Sequence, residues 1–373
     1  MMGGNGGRSV SSTNEPEGFR TLSELEELAG RKLAASAWAY VQGGAGEERC
    51  LRANREAFQL LQIVPRAFEG RGEIDVRTRI LGAASAVPFF LAPMAYQGTI
   101  HPDGEQGVAR AASDAGVLAT FSTLSTDSLE KIGAASGQGR RWFQLYHQPD
   151  DAADRALIQR AERAGYSAIM LTADTPVLGV RDRQARGGFA IDASVPVGNG
   201  PEIVPPAREV VRVGETYRPS PDAAPTWETL DRVRESTRLP IVVKGIMDPA
   251  DARRCVDYGA SGIVVSNHGG RQLDGAPASL AALPAIVEAV GSRTEVYLDG
   301  GVRRGSDVLI ALALGAKAVG IGRPVLWALA VGGSAGVSRY LSLLTQEIIS
   351  VMVLAGRHSI SEIDRSLLAG PVG

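Results

Sequence analysis

Eight short apolar runs recur along the chain, separated by longer stretches in which apolar and charged residues follow helical spacing. The first four runs span 88–93, 117–120, 142–146 and 168–172, and the last four span 240–244, 262–266, 295–299 and 318–322. Most neighbouring runs start roughly 25 residues apart, which is the repeat of a βα unit. Runs this short and this apolar predict strands that are buried on both faces.

The stretches between the runs predict crossover helices that end at glycine, the usual residue just past a helix C-terminus. Such helices are predicted over 105–115, 152–164, 248–258 and 279–290, with Gly116, Gly165, Gly259 and Gly291 as their stops. Eight doubly buried strands joined by helices indicate an α/β protein with a closed TIM (β/α)₈ barrel. A doubly wound open sheet is the alternative that the same alternation allows.

The rest of the chain predicts one domain with two additions to the barrel. Residues 1–18 are rich in Gly, Ser and Asn, and we expect a disordered tail followed by a single domain over 19–373. Leucines at 22, 25, 28 and 33 predict an N-terminal helical extension. Residues 183–240 interrupt the repeat and predict a long βα loop after the fourth strand, on the catalytic face of the barrel.

Composition excludes several classes of partner. A net charge of -2 gives no electrostatic basis for binding nucleic acid or an anionic membrane. Residues 183–240 hold no apolar insertion, and the apolar stretch 348–355 is too short to span a bilayer, so we expect no membrane attachment. Cys50 and Cys255 have no metal-binding or redox spacing, which favours a metal-free protein of the reducing cytoplasm.

Polar residues follow the predicted strands where each strand ends. Because barrel active sites form at the C-terminal ends of strands, these residues are the candidate site. They are Met94, Ala95, Ser122, Gln144, Tyr146, Thr172, Asp174, Lys244, Ser266, His268, Asp299, Gly301, Gly322 and Arg323. The last strands are followed by Asp299-Gly-Gly-Val-Arg303 and Gly320-Ile-Gly-Arg323, and glycine with arginine at these two loops predicts a phosphate site.

His268 is the candidate base, since an imidazole near its ordinary pKa can accept a hydroxyl proton. For His101, His147 and His358 we favour structural roles. Arg181 and Arg271 could grip a carboxylate in two-point fashion, although surface ion pairs are a common alternative for arginine. Lys244 follows a buried strand and needs an anionic partner. It could form a Schiff base or lie beside an anionic cofactor.

The run Ser266-Asn-His-Gly-Gly-Arg-Gln-Leu-Asp-Gly275 resembles the signature of the FMN-dependent 2-hydroxy acid oxidases and dehydrogenases, such as glycolate, lactate and hydroxymandelate oxidase. The resemblance extends from about residue 22 to 368 and includes 40–46, 143–146, 171–176, 299–303 and 321–324. It implies FMN as cofactor and oxidation of a 2-hydroxy acid to a 2-oxo acid. It also implies a homotetramer or homo-octamer, to which the amphipathic segment 337–354 could contribute.

The resemblance also implies a role for each matching residue. His268 is the base and Asp174 its carboxylate partner, while Arg181, Arg271 and Tyr40 hold the substrate carboxylate and Tyr146 bonds near the hydroxyl. Lys244 stabilises the reduced flavin. The flavin is lined by Met94, Ala95, Ser122, Gln144, Thr172 and Ser266, and its ribityl phosphate is bound by Asp299, Gly301, Arg303, Gly322 and Arg323.

For the electron acceptor and the substrate, the resemblance rests on one residue each, Ala95 and Leu124. Ala95 matches the oxidases, whereas several dehydrogenases carry glycine there, so we expect O₂ as acceptor and peroxide as product. Leu124 stands where glycolate oxidase has a bulky aromatic, which favours an aromatic (S)-2-hydroxy acid such as mandelate or 4-hydroxymandelate over lactate. Leu124 could instead simply pack under a loop. A dehydrogenase, a monooxygenase, an FMN-dependent isomerase and a Schiff-base lyase are the alternatives.

Overall fold

A computed structural model describes residues 18–69, 72–188, 195, 197–201, 203 and 224–370 of the chain. Its centre is a closed barrel of eight parallel strands in the order β10-β11-β4-β5-β6-β7-β8-β9. The TIM barrel is thus confirmed, and the open-sheet alternative is wrong. The barrel strands are β4 (Phe89–Leu91), β5 (Leu118–Ser122), β6 (Arg141–Leu145), β7 (Ile169–Thr172), β8 (Ile241–Ile246), β9 (Gly262–Val265), β10 (Glu295–Asp299) and β11 (Ala318–Ile321).

Helices surround the barrel, and four short strands form two antiparallel pairs outside it. The small strands are β1 (Gln62–Ile63), which pairs with β12 (Leu368–Ala369), and β2 (Thr78–Ile80), which pairs with β3 (Ala83–Ser85). The helices are α1 (Leu25–Lys32), α2 (Ala35–Gln42), α3 (Arg49–Gln59), α4 (Gly104–Asp114), α5 (Leu129–Ser136), α6 (Asp151–Arg163), α7 (Asp182–Arg186), α8 (Trp227–Glu235), α9 (Pro249–Asp257), α10 (Ser279–Val290), α11 (Gly305–Ala313) and α12 (Arg323–Ala355).

The predicted helix stops have a backbone reason. Gly116, Gly165 and Gly259 follow α4, α6 and α9 with φ of 65°, 75° and 85°, the left-handed region in which a side chain is strained. Gly291 differs, since it has a right-handed φ of -44° after α10. Glycine there is not required by backbone conformation.

The long βα segment after β7 is confirmed, but it is not all loop. Helix α8 and most of α7 lie within the range predicted as loop, and Thr226 begins α8 with a capping box to Thr229. Apolar Leu230 and Val233 are buried in the main hydrophobic core. In the sequence, this helix shows only one short repeat of apolar residues, Leu230 and Val233, between polar residues. The described residues do not include most of 189–223. They also do not include residues 1–17 of the predicted tail.

The N-terminal extension and the C-terminal helix pack together. α1 and α12 are in contact, and α12 also packs on α4 and α11. Among the described residues, α12 is the one helix long and apolar enough to cross a membrane, a test that buried core helices also meet. Non-helical dihedrals at Gly332 and Gly333 divide it into two helices across a kink.

The barrel interior has an apolar floor, because alternate strand residues point inward. Phe90, Trp142 and Tyr297 meet there with ring centroids 5.7–5.8 Å apart. One residue from each other strand completes this layer, namely Leu118, Met170, Val242, Val264 and Ala318. Ile80, from the β2–β3 hairpin, closes it from below. This floor excludes water beneath the next layer of side chains.

The floor should contribute strongly to stability. We expect Trp142→Ala to lower the free energy of unfolding by about 3–5 kcal/mol, since a fully buried indole leaves a cavity between two rings. Denaturant titration of the holoprotein measures the change. Trp227→Ala, on the partly exposed face of α8, is the matched control and should cost clearly less. Equal losses would contradict a packed floor.

Candidate active site

Two residues beyond the floor, most of the eight barrel strands carry a polar side chain. Above Trp142, Met170, Val242, Val264 and Tyr297 stand Gln144, Thr172, Lys244, Ser266 and Asp299. Each of these five side chains is buried. Buried polar groups are costly unless they are paired, so they pair with one another or serve a ligand. The change from apolar to polar between layers marks the bottom of the site.

A cavity of about 600 Å³ opens above this layer, which is the size of a site for a small molecule or cofactor. Its lining includes every predicted site residue except Asp174 and Ser266: Tyr40, Met94, Ala95, Ser122, Leu124, Gln144, Tyr146, Thr172, Arg181, Lys244, His268, Arg271, Asp299, Gly301, Arg303, Gly322 and Arg323. Asp174 and Ser266 lie directly behind the lining. They contact His268 and Lys244 respectively.

His268 forms a buried pair with Asp174. Its Nδ1 lies 2.9 Å from Asp174 Oδ1, and its Nε2 is directed to the Tyr146 hydroxyl at 3.4 Å. Burial lowers the pKa of His268 below its usual 6.5, although Asp174 opposes the shift. Burial alone would raise the pKa of Asp174, but the charges of His268 and Lys244 outweigh it and hold the value at about 2. The pair is therefore a neutral imidazole beside a carboxylate, which suits a general base.

The backbone at His268 is held in an unusual conformation. His268 has a φ of 58°, which is uncommon for a residue with a side chain. Asn267, just before it, exchanges two amide hydrogen bonds of 2.8 Å with Asn54 of α3, and Asn54 Oδ1 also accepts from Ser279 N. Neither asparagine was predicted from the sequence. Their pairing spans 213 residues and leaves no local pattern.

Lys244 lies in a second polar group. Its Nζ donates to Ser266 Oγ at 3.1 Å and is 3.5 Å from Asp299 Oδ2, and Ser266 Oγ donates to Asp299 Oδ1 at 2.5 Å. Gly245 follows with a φ of 104°, where the strand pairing of β8 shifts register. A Cβ at Gly245 would lie 2.6 Å from Asp174 Cβ, so glycine lets the lysine strand and the histidine partner approach.

Two arginines, Arg181 and Arg271, line the cavity. The Arg271 guanidinium stacks on the Tyr40 ring at 5.1 Å and donates to the carbonyl oxygens of Tyr40 and Gly43. Burial lowers the pKa of Arg271. Arg181 Nε donates to the Arg271 carbonyl at 3.4 Å, and both arginines line the cavity together with His268. Burial also raises the pKa of Tyr146, so its phenol keeps its proton.

Arg303 and Arg323 mark the far end of the cavity. Burial lowers the pKa of Arg303 to about 10, with Arg55 adding repulsion, and lowers the pKa of Arg323 well below its usual value, with Arg271 and Arg303 adding repulsion. Neither has a carboxylate within ion-pair distance among the described residues. α12 begins at Arg323, so a helix N-terminus adds positive potential. Arg323 donates to three backbone carbonyl oxygens, and an anionic ligand would add the opposite charge that both cations lack.

The family model described as FMN-dependent dehydrogenase matches residues 29–370. The chain belongs to this family. The resemblance seen in the sequence and the FMN cofactor are confirmed by this match. Arg303 and Arg323 have no carboxylate partner among the described residues and suit the phosphate of FMN, and Asp299 and Lys244 line the same cavity.

Individual relatives share nearly the whole chain. The L-lactate oxidase of Nostoc sp. is 45% identical over 354 residues, which cover 93% of this chain and 97% of the relative. The 4-hydroxymandelate oxidase of Amycolatopsis orientalis is 45% identical over 344 residues, covering 92% and 96%. The crystal structure of mandelate oxidase with (S)-2-phenylpropionate has a TM-score of 0.86 and 44% identity, covering 95% of this chain and 99% of that one.

Several cavity residues were not predicted. Apolar side chains add to the lining at Val41, Tyr96, Leu178, Val195, Val197 and Leu326. They come from α2, from the loop after β4, from the long βα segment and from α12. Each one is an ordinary apolar residue in its local sequence. The folded chain was needed to bring them to one wall.

His268→Ala tests the base directly. We expect the variant to retain FMN, because no predicted phosphate contact is removed. The rate constant for reduction of the flavin by a 2-hydroxy acid should fall by at least about 10²-fold. Stopped-flow absorbance under anaerobic conditions measures the rate. Reduction at the unmodified rate would remove His268 as the base.

The pH dependence follows from the lowered pKa of His268. A base acts only when it is neutral, so kcat/KM should be constant above the pKa and fall as pH drops through it, at a value below 6.5. Asp174→Asn removes the charge that raises this pKa. The acid limb should then move to lower pH, with a lower plateau. A limb that moves upward or stays in place would contradict the pairing.

Proposed function

We propose that the protein oxidises 2-hydroxy acids to 2-oxo acids with bound FMN and passes the electrons to O₂, forming H₂O₂. The observation that carries the proposal is the placement of His268, backed by Asp174, in the same cavity as the cations Arg181 and Arg271. A base and a carboxylate clamp in one cavity match a substrate that bears a hydroxyl next to a carboxylate.

Each group has a distinct task in this reaction. Arg271 and Arg181 bind the substrate carboxylate and so orient the hydroxyl toward His268 Nε2, where Tyr146 donates a second hydrogen bond. His268 accepts the hydroxyl proton, and Asp174 stabilises the imidazolium that forms. When bound, FMN would accept the two electrons and the hydrogen that leave the substrate carbon. Lys244 places positive charge beside the cofactor ring.

O₂ as electron acceptor is supported by two observations. The lactate and hydroxymandelate relatives are named as oxidases, and both cover more than nine-tenths of this chain. Ala95, which matches the oxidases in the sequence resemblance, lines the cavity. A dehydrogenase or monooxygenase would give little or no free peroxide, so the yield of peroxide per substrate separates these outcomes.

An aromatic substrate is supported by the apolar wall of the cavity. Leu124 is 7% exposed and lies in the lining with Leu178, Val195 and Val197. Branched aliphatic side chains leave a water-poor space that a phenyl group fills favourably. A methyl group would fill less of it. We therefore propose mandelate or 4-hydroxymandelate as the substrate, with the carboxylate at the arginines and the ring at this wall.

Lactate is the second candidate, because the lactate oxidase of Nostoc sp. is as similar to this chain as the hydroxymandelate oxidase is. Both acids would use the same base and arginines. They differ only in what meets the apolar wall, so the ratio of their kcat/KM values measures the contribution of that wall.

We also propose a homo-oligomer in the cytoplasm. The end of α12 exposes Val353 and Leu354, at 57% and 71%, and an oligomer contact would cover such apolar side chains. Cys50 and Cys255 are both free thiols and buried. Light scattering coupled to size-exclusion chromatography gives the subunit number. A monomer at all concentrations would contradict the assembly.

The experiment that tests the proposal is anaerobic mixing of the purified yellow holoprotein with (S)-mandelate, (S)-4-hydroxymandelate, L-lactate and glycolate. We expect the aromatic acids to bleach the FMN absorbance fastest, and readmitted air to restore it with one peroxide formed per acid oxidised. Failure of every acid to bleach the flavin would overturn the proposed reaction. Bleaching without peroxide would leave the oxidation standing and exclude O₂ as a productive acceptor.

Leu124→Tyr tests the apolar wall. The larger phenol should fill the space that a substrate ring requires, so kcat/KM for mandelate should fall roughly tenfold or more. Glycolate has no group at this wall and serves as the control in the same variant, where we expect little change. Steady-state peroxide assays with both acids measure the ratio. Parallel losses for both acids would show that Leu124 only packs under its loop.

A further inference from the structure

A buried histidine–carboxylate pair lies just outside the active-site cavity. His147 Nδ1 is 2.6 Å from Asp154 Oδ2, and each side chain is only 6% exposed. His147 follows β6 and Asp154 lies in α6, so the pair joins a catalytic loop to a helix of the outer ring. Neither residue lines the cavity. Burying a carboxylate here is costly, and the hydrogen bonds that it accepts must offset that cost.

Hydrogen bonds lead from Asp154 to Tyr146. The second oxygen of Asp154, Oδ1, accepts from the Gln148 amide at 2.9 Å, and Gln148 Nε2 donates to the Tyr146 carbonyl at 2.9 Å. On its other side the Tyr146 amide donates to Thr123 Oγ1 at 3.0 Å. The backbone of Tyr146 is thus fixed from both sides, and its hydroxyl reaches to 3.4 Å from His268 Nε2.

We infer that Asp154, together with His147, is a positioning residue that sets the Tyr146 phenol against His268. One carboxylate holds the two residues that follow Tyr146, and Tyr146 lines the cavity whereas His147, Gln148 and Asp154 do not. A displacement of about 1 Å at a catalytic hydrogen bond can cost up to roughly 10²-fold in rate. The inference rests on the proposed function of Tyr146 in hydroxy acid oxidation.

A metal site is the other use that these residues could serve. His147, Asp151 and Asp154 offer ligand atoms that lie within 4.8 Å of one another. However, both oxygens of Asp154 already accept hydrogen bonds from the loop, and Asp151 is paired with Arg232 at 3.0 Å. A cation would have to displace these partners. The contacts therefore favour a positioning pair.

A double-mutant cycle between Asp154→Ala and Tyr146→Phe tests this role. In the unmodified background we expect Asp154→Ala to lower kcat/KM roughly tenfold. In the Tyr146→Phe background it should lower kcat/KM less than about twofold, because the hydroxyl that it positions is already gone. Asp154→Asn, which keeps an oxygen for the Gln148 amide, should recover part of the loss. His147→Ala removes one contact only and should give an intermediate effect.

Asp150→Ala is the matched control. Asp150 is the N-cap of the same helix, and its carboxylate accepts from Ala152 N; in the described structure that carboxylate shows no hydrogen bond to Tyr146, His147 or Gln148. Its replacement should lower the melting temperature through loss of a cap worth about 1 kcal/mol. It should leave kcat/KM unchanged. The control separates a loss of helix stability from a loss of Tyr146 position.

Three outcomes would overturn the inference. The first is an equal loss from Asp154→Ala with and without the Tyr146 hydroxyl, which is the result of a purely structural role. The second is a loss of activity on chelation that added Zn²⁺ restores. The third is independent of turnover: a crystal structure of Asp154→Ala in which the Tyr146 hydroxyl keeps its place beside His268 Nε2. That structure decides the geometry even if no hydroxy acid proves to be a substrate.

Discussion

An excess of positive charge in the cavity above the apolar floor of the barrel is the constraint on which the site depends. Lys244, Arg271, Arg303 and Arg323 all line one cavity, and burial lowers the pKa of the three arginines. Of these four cations, Lys244 alone has a carboxylate within ion-pair distance among the described residues, namely Asp299. Anionic ligands relieve this cost, and FMN and a carboxylate substrate both bring the charge required. His268 then lies where the substrate carboxylate directs a hydroxyl.

Much of this arrangement could be predicted from local pattern. Because side chains alternate along a strand, Val242 lies in the floor and Lys244 in the layer above it. A polar residue toward the C-terminal end of an apolar strand therefore identifies a site residue. The glycine-rich loops that end in Arg303 and Arg323 indicated a phosphate by residue type and strand position alone. The barrel, the family and FMN were confirmed, while the roles of the single residues stay predictions.

Features that depend on distant contacts could not be predicted in this way. The Asn54–Asn267 pair, which fixes the loop of His268, joins ordinary polar residues that are far apart in sequence. His147 was expected to be structural, and its link through Asp154 toward the active site became visible only with the fold. Helix α8 was missed because its apolar period is short and lies beside a long polar segment. In each case the deciding contact is tertiary.

The central claim, that buried cations select an anionic substrate and orient it toward His268, is tested most directly by removing the substrate charge. Anaerobic flavin reduction by (S)-mandelate is compared with reduction by its methyl ester, which keeps the ring and the hydroxyl. We predict that the ester loses at least about 10²-fold in the second-order rate constant, because Arg271 and Arg181 lose a charged partner. An ester that reduces the flavin as fast as the acid would contradict the account.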